Sequence, residues 1–225
     1  MNPILEIQHV SKSYQQANQR VDVLEQVNMQ AQRGEKIAIL GPSGCGKSTL
    51  LSLLAGLDNP DAGSVLIDGS DLAKMSEDER SFTRSEKLGI VFQQYHLMRN
   101  LTAVENVGIP LEILGKADYT KQAQLALDQV SLSDRADHFP SEMSGGECQR
   151  VAIARAIVTR PSLILADEPS GNLDQKTGEE VMKLLFKLCG ENEITLILVT
   201  HNQELAEQCD RAFLLQDGVL VELKA

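Results

Sequence analysis

A short apolar run followed by a glycine-rich loop constrains the fold of this chain more than any other feature. Residues 36–40 read KIAIL, a continuous apolar stretch of the kind found in strands that a parallel sheet buries on both faces. The loop GPSGCGKST comes next, and it precedes the leucine-rich segment LLSLLAGL, a predicted helix that Gly56 is expected to end. A strand that enters a helix through a glycine-rich loop predicts an α/β fold.

The alternation of strands and helices continues along most of the chain. Buried strands are predicted at 64–68, 88–93, 161–167 and 194–200. Weaker alternating patterns predict half-exposed strands at 4–10 and 21–29, on either side of a polar loop, and a terminal hairpin at 211–223. Ser76 and Glu79 have the spacing of a capping box that opens a charged helix.

Residues 97–158 differ from the rest, because they contain helical patterns and no strong strand. We expect them to form an α-helical sub-domain inserted into an α/β core made of 1–96 and 159–225. The core is predicted to have a mostly parallel sheet covered on both faces by helices, with an antiparallel β portion at its N-terminal end.

Composition and charge exclude several classes of protein. The 225 residues are 42% hydrophobic, enough for one large α/β domain or one domain with a sub-domain. The formal net charge of −11 argues against nonspecific binding of nucleic acid, which requires clustered Lys and Arg. The four cysteines lack C-x-x-C spacing, so reduced thiols are expected. No apolar run approaches the roughly 20 residues that cross a bilayer, and no signal-peptide pattern opens the sequence.

Residues 41–48 match the pattern G-x-x-x-x-G-K-[ST] of a phosphate-binding loop. Its glycines let successive backbone N–H groups point at phosphate oxygens, and the following helix adds the positive end of its dipole. Lys47 is expected to reach the β- and γ-phosphates, and Ser48 to bind Mg²⁺. A dinucleotide-binding fingerprint is excluded because Thr49 stands where that motif requires a glycine. The predicted nucleotide-binding residues here are Gly41, Pro42, Ser43, Gly44, Cys45, Gly46, Lys47, Ser48 and Thr49.

Two adjacent carboxylates, Asp167 and Glu168, follow the buried apolar run LILA. Asp167 is suited to hold Mg²⁺ through water, and Glu168 is suited to polarise an attacking water. The alternative for Asp167 is an ordinary cap on the next helix.

Gln93 and His201 are predicted to end two further buried strands. Ligands of open α/β sheets bind at the carboxyl ends of the strands. Since Lys47 and Glu168 are expected at the same edge, Gln93 and His201 become candidate sensors of a γ-phosphate and its water. Each could instead be a structural residue.

The stretch SEMSGGECQR, residues 141–150, contains a second capping box, with Ser144 three residues before Glu147. Two glycines, Gly145 and Gly146, occupy the first helical positions, where each weakens a helix by up to about 1 kcal/mol relative to alanine. These residues alone do not show what offsets that cost.

Taken together, these motifs resemble the ATP-binding cassette ATPases over essentially the whole chain. GPSGCGKST resembles the Walker A loop, Gln93 the Q-loop glutamine, MSGGE the signature motif and LILADE the Walker B strand. SGNLD resembles the D-loop, with Asp174 as its aspartate, and His201 resembles the switch histidine. Tyr14 resembles the aromatic residue that stacks on adenine; an ordinary strand-end tyrosine is the alternative.

The resemblance implies a P-loop NTPase with a RecA-like core that binds and hydrolyses ATP with Mg²⁺. The implied catalytic residues are Glu168, His201 and Lys47, and the implied metal ligands are Ser48, Gln93 and Asp167. ATP would lie between the Walker A loop of one chain and the turn formed by Ser144, Gly145 and Gly146 of a second copy. The two copies would form a head-to-tail dimer that depends on ATP.

Within the family, the segments SGGE-x-QRVAIARAI, ADEPSGNLD and LTAVENV resemble the bacterial lipoprotein-releasing and macrolide-exporter group. This implies an integral membrane permease-type partner, a place on the cytoplasmic face of the inner membrane, and no nucleic-acid partner. A cell-division cassette that signals across the membrane without transport is the alternative. A soluble cassette acting on DNA or ribosomes is disfavoured by the single cassette and the acidity.

Four positions depart from the commoner family residues, namely Met143, Glu147, Ser170 and Asn202. None of these departures removes a functional side chain.

Overall fold

The structure is a computed structural model that describes residues 2–16 and 19–223. The described chain divides into two compact units. The first unit contains residues 1–81 and 195–225, apart from those not described, and the second contains residues 82–194. The polar loop predicted after the first strand falls in part on residues 17 and 18, which lie outside the described residues.

The described residues form the following strands and α-helices. The strands are β1 (Leu5–Gln16), β2 (Gln19–Ala31), β3 (Lys36–Leu40), β4 (Ala62–Ile67), β5 (Ser70–Asp71), β6 (Leu88–Val91), β7 (Leu163–Asp167), β8 (Thr195–Val199), β9 (Arg211–Gln216) and β10 (Val219–Leu223). The helices are α1 (Lys47–Leu54), α2 (Glu77–Lys87), α3 (Ala103–Ile113), α4 (Tyr119–Gln129), α5 (Gly145–Ile157), α6 (Gln175–Glu191) and α7 (Gln203–Ala206).

The first unit contains an antiparallel sheet and a mostly parallel group of strands. The antiparallel sheet has the order β2-β1-β4-β5, and it confirms the antiparallel N-terminal portion. In the second group, β3 pairs in parallel with β8 on one side and with β9 on the other, and β10 closes the terminal hairpin against β9. Residues 37–39 and 196–199 are fully buried, as the continuous apolar runs predict.

The second unit packs helices around one parallel pair of strands, β6 and β7. Helix α5 is largely buried, with Val151, Ala152, Ile153 and Ala154 fully inaccessible. Helices α3, α4 and α5 occupy the region predicted to be helical. The proposed sub-domain boundaries at 97 and 158 stay a prediction, because β6 and β7 belong to the same compact unit as these helices.

The local signals for helix ends are confirmed. Helix α1 ends at Leu54, and Gly56 follows in the left-handed region with φ of 62°. The capping box before α2 is present, because the Ser76 N–H and hydroxyl donate to Glu79 Oε2 at 2.7 and 2.8 Å. Among the described residues, no helix is both long and apolar enough to cross a membrane.

Two strand ends were predicted too late in the sequence. Strand β6 ends at Val91 and β8 ends at Val199, so Gln93 and His201 each lie two residues beyond their strand. Backbone pairing decides these ends, since the last paired residues are Val91 with Ala166 and Val199 with Ile39. The apolar or β-branched residues that follow, Phe92 and Thr200, extend the sequence pattern beyond the pairing.

Candidate functional site

The phosphate-loop sequence connects β3 to α1 in the first unit, as predicted. Lys47, the first residue of α1, is 8% exposed, and its ammonium donates to the carbonyl oxygens of Gly41 and Pro42, both at 2.8 Å. An ammonium group has three hydrogens, so these bonds hold the side chain across the loop while a third hydrogen can serve an anion.

The start of α1 has the features of an anion site. Its cap residue, Gly46, adopts the left-handed conformation with φ of 104°, and a Cβ there would lie 2.9 Å from the Val23 side chain. The first turn of the helix contains no acidic side chain. Its first N–H groups and the helix dipole are therefore directed towards the loop, which favours a phosphate.

The switch-like histidine, His201, follows a strand that neighbours β3 within the first unit. Strands β3 and β8 are parallel neighbours, and the Thr200 N–H donates to the Ile39 carbonyl at 3.2 Å. The backbone of His201 thus follows β8 at the same sheet edge from which the loop leaves β3, and its side chain is exposed. Asn202 caps α7 by accepting a hydrogen bond from the Leu205 N–H at 3.3 Å. Asn202 is one of the four positions that depart from the commoner family residues, and the cap gives it a structural role.

Tyr14 belongs to a charged cluster in the first unit. Its hydroxyl donates to Asp58 Oδ2 at 2.9 Å, and its ring is 42% exposed. The Lys12 ammonium donates to Asp58 Oδ1 at 2.8 Å and lies 5.1 Å from the centre of the Tyr14 ring. Asp58 therefore fixes the outer end of Tyr14, while Lys12 lies against its ring.

The charges in this cluster stabilise each other. Burial by itself would raise the pKa of the Asp58 carboxyl, but hydrogen bonds from Lys12 and Tyr14 outweigh burial and lower it. Burial would likewise lower the pKa of Lys12, and the hydrogen bond to Asp58 raises it. The pKa of Tyr14 is raised, first by burial and then by its bond to Asp58. All three groups thus keep their ordinary charge states near neutral pH.

The exposed ring of Tyr14 leads to a prediction that separates stacking from a structural role. Tyr14→Ala should weaken ATP binding about 10-fold or more, because stacking of a base on an aromatic ring contributes about 1–3 kcal/mol. Tyr14→Phe removes the hydroxyl, with its bonds to Asp58 and Thr49, but keeps the ring, and its Kd should stay within about 3-fold of the original. Isothermal titration calorimetry measures both values. An unchanged Kd with a lowered Tm for the alanine variant would show that Tyr14 is only a structural strand-end residue.

In the second unit, Gln93 and Glu168 lie at the same edge of the β6–β7 pair. Val91 pairs with Ala166. Gln93 stands two positions after Val91, and Glu168 stands two positions after Ala166. Gln93 Nε2 donates to Asn172 Oδ1 at 3.1 Å, and Asn172 Nδ2 donates to the Gln93 carbonyl at 3.0 Å. These reciprocal bonds hold the loop after β6 against the loop after β7.

The backbone at Glu168 is strained. Its φ of 43° places a non-glycine residue in the left-handed region, immediately before Pro169, where extended conformations are preferred. Such conformations cost about 1–3 kcal/mol and are concentrated at functional sites. Asp167 is the last residue of β7, so the alternative that it caps the next helix is wrong. The cap of α6 is Asp174.

Asp174 accepts a hydrogen bond from the Thr177 N–H at 3.1 Å. The hydrogen bonds from Thr177 lower the pKa of its carboxyl, so the cap is charged near neutral pH. Its exposed side chain has a visible structural role as a cap, and a role in nucleotide binding stays a prediction.

The capping box at the start of α5 is present. The Ser144 N–H and hydroxyl each donate to Glu147 Oε2 at 2.8 Å, and the Glu147 N–H donates to Ser144 Oγ at 3.3 Å. Arg135 Nε donates to Glu147 Oε1 at 3.2 Å. The pKa of Glu147 is lowered, chiefly by the Ser144 N–H and hydroxyl and further by Arg135. Glu147, which departs from the commoner family residue at this position, therefore serves as an ionised cap of α5.

The two glycines at the start of α5 are required by close packing within the second unit. A Cβ on Gly145 would lie 2.7 Å from the Tyr95 hydroxyl, and a Cβ on Gly146 would lie 2.5 Å from Cγ2 of Thr177. Tight approach to Tyr95 and Thr177 offsets the helix cost that the sequence alone left unexplained. At the helix start, Ser144 remains exposed, whereas Gly146 is buried.

Sequence reasoning missed three polar residues, namely Asp58, Gln149 and Asn172. Asp58 and Asn172 bond predicted site residues, and Gln149 bonds the residues next to two of them. Gln149 is fully buried, and Asn172 lies 79 positions from the residue that it binds. The only signal in the sequence was the position of Gln149 and Asn172 inside recognised motifs, which does not reveal what an amide contacts.

The site chemistry suits a metal that arrives with a phosphate substrate. Among residues 2–16 and 19–223, no group of three or more His, Cys, Asp or Glu side chains could hold a metal ion. The predicted ligands, a hydroxyl, an amide and one carboxylate, are the oxygen donors that Mg²⁺ uses when phosphates and waters complete its shell.

Comparison with known proteins decides the family. The family described as ABC transporter matches residues 24–171. The chain belongs to this ABC transporter family. It is an ATP-binding cassette ATPase, and its α/β fold with an antiparallel N-terminal sheet agrees with that family.

Two relatives illustrate how far the similarity extends. The lipoprotein-releasing system ATP-binding protein LolD of Coxiella burnetii is 46% identical over 221 residues, which cover 97% of this chain and 95% of LolD. The macrolide export ATP-binding/permease protein MacB of Bdellovibrio bacteriovorus is 42% identical over 217 residues. These residues cover 96% of this cassette but only 33% of MacB.

A solved structure supports the same assignment. The ATP-binding cassette MJ0796, in a dimeric post-hydrolysis state bound to ADP and Pi, matches with a TM-score of 0.88 and 39% identity. The match covers 98% of this cassette and 99% of MJ0796.

Proposed function

We propose that this ABC cassette is the ATP-hydrolysing subunit of a membrane transport complex of the lipoprotein-release or export type. The observation that carries the proposal is the similarity to LolD, which extends over nearly the full length of both proteins. The similarity to MacB, an ATP-binding/permease protein, supports a cassette that works together with a membrane permease.

In the proposed reaction, the first unit binds the triphosphate. The loop N–H groups and the ammonium of Lys47 neutralise the β- and γ-phosphates, and Tyr14 stacks on the adenine. The Ser48 hydroxyl, at the start of α1, is assigned to Mg²⁺, which neutralises charge on the phosphates when it is bound. His201 is assigned to orient the γ-phosphate through its imidazole.

The second unit is assigned to the water and the metal. Glu168 accepts a proton from the attacking water, and its strained backbone holds the carboxylate in one orientation. Asp167 and Gln93 supply oxygen ligands for Mg²⁺. The bonds between Gln93 and Asn172 support this assignment, because they fix the loop that carries Gln93.

A second copy of the cassette is proposed to complete each site. The start of α5, where Ser144 is exposed and Gly145 and Gly146 follow it, is suited to contact the γ-phosphate held by the partner copy. Asp174, at the start of α6, is assigned to the same head-to-tail interface. The dimeric state of MJ0796 supports this arrangement. ATP would close the dimer and hydrolysis would open it.

A groove in the second unit is a candidate docking surface for the membrane subunit. It has a volume of about 660 Å³ and is lined by Gln94, Tyr95, His96, Leu97, Arg99, Pro140, Ser141, Met143, Gly145, Cys148 and Asn172. Leu97 is the apolar lining residue on the segment that follows Gln93. Binding at this groove would place the cassette on the cytoplasmic face of the inner membrane.

Purification of the tagged chain from its native membranes tests the proposal. We expect an integral membrane protein of permease type to co-purify, and Leu97→Glu to abolish its recovery because a carboxylate on this lining residue would have to be buried in the interface. Leu125→Glu is the matched control, since Leu125 is a 58% exposed apolar residue on α4, away from the groove. Both variants should keep the ATPase rate of the isolated cassette.

The same experiment separates the alternatives. A membrane partner whose loss blocks cell division without any transported cargo would favour a signalling cassette. Recovery of the chain without a membrane protein, or with nucleic acid that survives physiological salt, would contradict the proposed function.

A further inference from the structure

Gln149 is a fully buried polar residue on α5 that connects two loops of the second unit. It is 0% exposed. Its Nε2 donates to the Phe92 carbonyl at 3.2 Å and to the Pro169 carbonyl at 2.6 Å. An amide nitrogen has two hydrogens, so these two bonds use its whole donor capacity.

The two carbonyls that Gln149 binds belong to neighbours of the proposed reactive residues. Phe92 directly precedes Gln93, and Pro169 directly follows Glu168. Because Glu168 has a left-handed backbone before a proline, its conformation persists only if the surrounding structure holds it. The short bond to the carbonyl of Pro169, the residue after Glu168, is one such constraint.

The oxygen of the Gln149 amide is less well placed than its nitrogen. Gln149 Oε1 is buried and has no hydrogen-bond partner among the described residues. A buried acceptor without a partner is unfavourable, and an apolar side chain of similar length would avoid that cost. The two donor bonds, to the carbonyls of Phe92 and Pro169, are what an apolar residue could not supply.

We propose that Gln149 is a positioning residue for ATP hydrolysis, which sets the peptides next to Gln93 and Glu168 by bonding both to the signature helix α5. The inference rests on the proposed function, since it assumes the roles of these two residues. Helix α5 holds the same loop at a further point, because Arg155 donates to the carbonyls of Tyr95 and His96 at 2.9 and 2.7 Å. Gln149 is the member of α5 that also reaches the loop of Glu168.

Gln149→Met removes both donors and keeps a similar length. We expect kcat for ATP to fall about 10-fold to 100-fold, because small displacements of catalytic groups have effects of that size. The KM for ATP should stay within about 2-fold, since both bonds of Gln149 go to loops of the second unit and the triphosphate is assigned to the first. Steady-state ATPase assays on the full chain, with thermal unfolding recorded for each variant, measure both values.

Asn106→Leu is the matched control for lost stability. Asn106 is also 0% exposed and lies in the second unit, where its side chain bonds the backbone of Met98, Leu101 and Thr102. This variant should lower the Tm at least as much as Gln149→Met while leaving kcat within about 2-fold. Equal losses of kcat in the two variants would show a merely structural role for Gln149 and overturn the inference.

Gln149→Glu adds a pH-dependent test that does not rely on loss of activity alone. A buried carboxyl that faces two carbonyl oxygens has a raised pKa, and its protonated form can donate one O–H. The neutral form restores part of the connection, so the turnover of Gln149→Glu relative to the unmodified chain should rise as the pH falls. A relative turnover that is flat or falls with decreasing pH would contradict the role of the donor.

The reference variants keep the two proposals distinguishable. Lys47→Ala and Glu168→Gln test the proposed function itself. If they abolish turnover while Gln149→Met behaves like the unmodified chain, only the positioning role fails. If they retain turnover, the proposed function fails, whatever the result at Gln149.

Discussion

Lys47→Ala is expected to lower ATP turnover by about 10³-fold or more, an effect of the size seen when a preorganised charge or donor is removed from a reaction centre. Lys47 starts α1, is nearly buried, and is held across the phosphate loop by the carbonyls of Gly41 and Pro42. Alanine removes the charge that faces the phosphates and leaves the two carbonyls without their donor. The protein should lose about 1–3 kcal/mol of stability for that reason but remain folded.

The phosphate-release assay for this variant needs two comparisons. Lys47→Arg keeps the charge but replaces a compact ammonium with a larger planar group, so it should also be inactive if geometry matters. Lys74→Ala removes an 84% exposed lysine from the same unit and should keep the original rate. If Lys47→Ala hydrolyses ATP at the original rate while remaining folded, the phosphate-loop assignment is wrong.

Glu168→Gln is expected to bind ATP but hydrolyse it about 10²-fold to 10⁴-fold more slowly, the range typical of a lost general base. The amide has nearly the shape of the carboxylate, so it should tolerate the same strained backbone with φ of 43°. It cannot accept the proton of the attacking water. Because hydrolysis is proposed to open the dimer, this variant should accumulate closed dimers when ATP is present.

Light scattering after size-exclusion chromatography measures that dimer. Each chain carries a formal net charge of −11, so two copies repel each other, and the assay should be run near 0.15 M salt, where the Debye length is about 8 Å. Glu180→Gln, at an exposed position of α6, is the matched control and should remain monomeric after turnover. A Glu168→Gln variant that stays monomeric with ATP, or hydrolyses it at the original rate, would refute the proposed role.

Much of the fold could be predicted from local patterns. Continuous apolar runs predicted the buried strands β3, β7 and β8, because a strand covered on both faces requires apolar side chains at every position. The capping boxes at Ser76 and Ser144 were correct, since a cap depends on residues only three positions apart. The ends of β6 and β8 were predicted two residues too late, at Gln93 and His201, because pairing with a neighbouring strand decides where a strand ends.

The sequence by itself determined the chemistry of this ABC cassette: a phosphate loop with Lys47, carboxylates after a buried strand, and a serine–glycine helix start. Each depends on residue types at short, fixed spacing. Only the tertiary structure decided what surrounds them. Gly145 and Gly146 admit Tyr95 and Thr177, and Gln149 joins loops that lie far apart in the sequence. Such contacts follow from packing between distant segments, which no local pattern encodes, because a buried amide or glycine has no partner until the chain has folded.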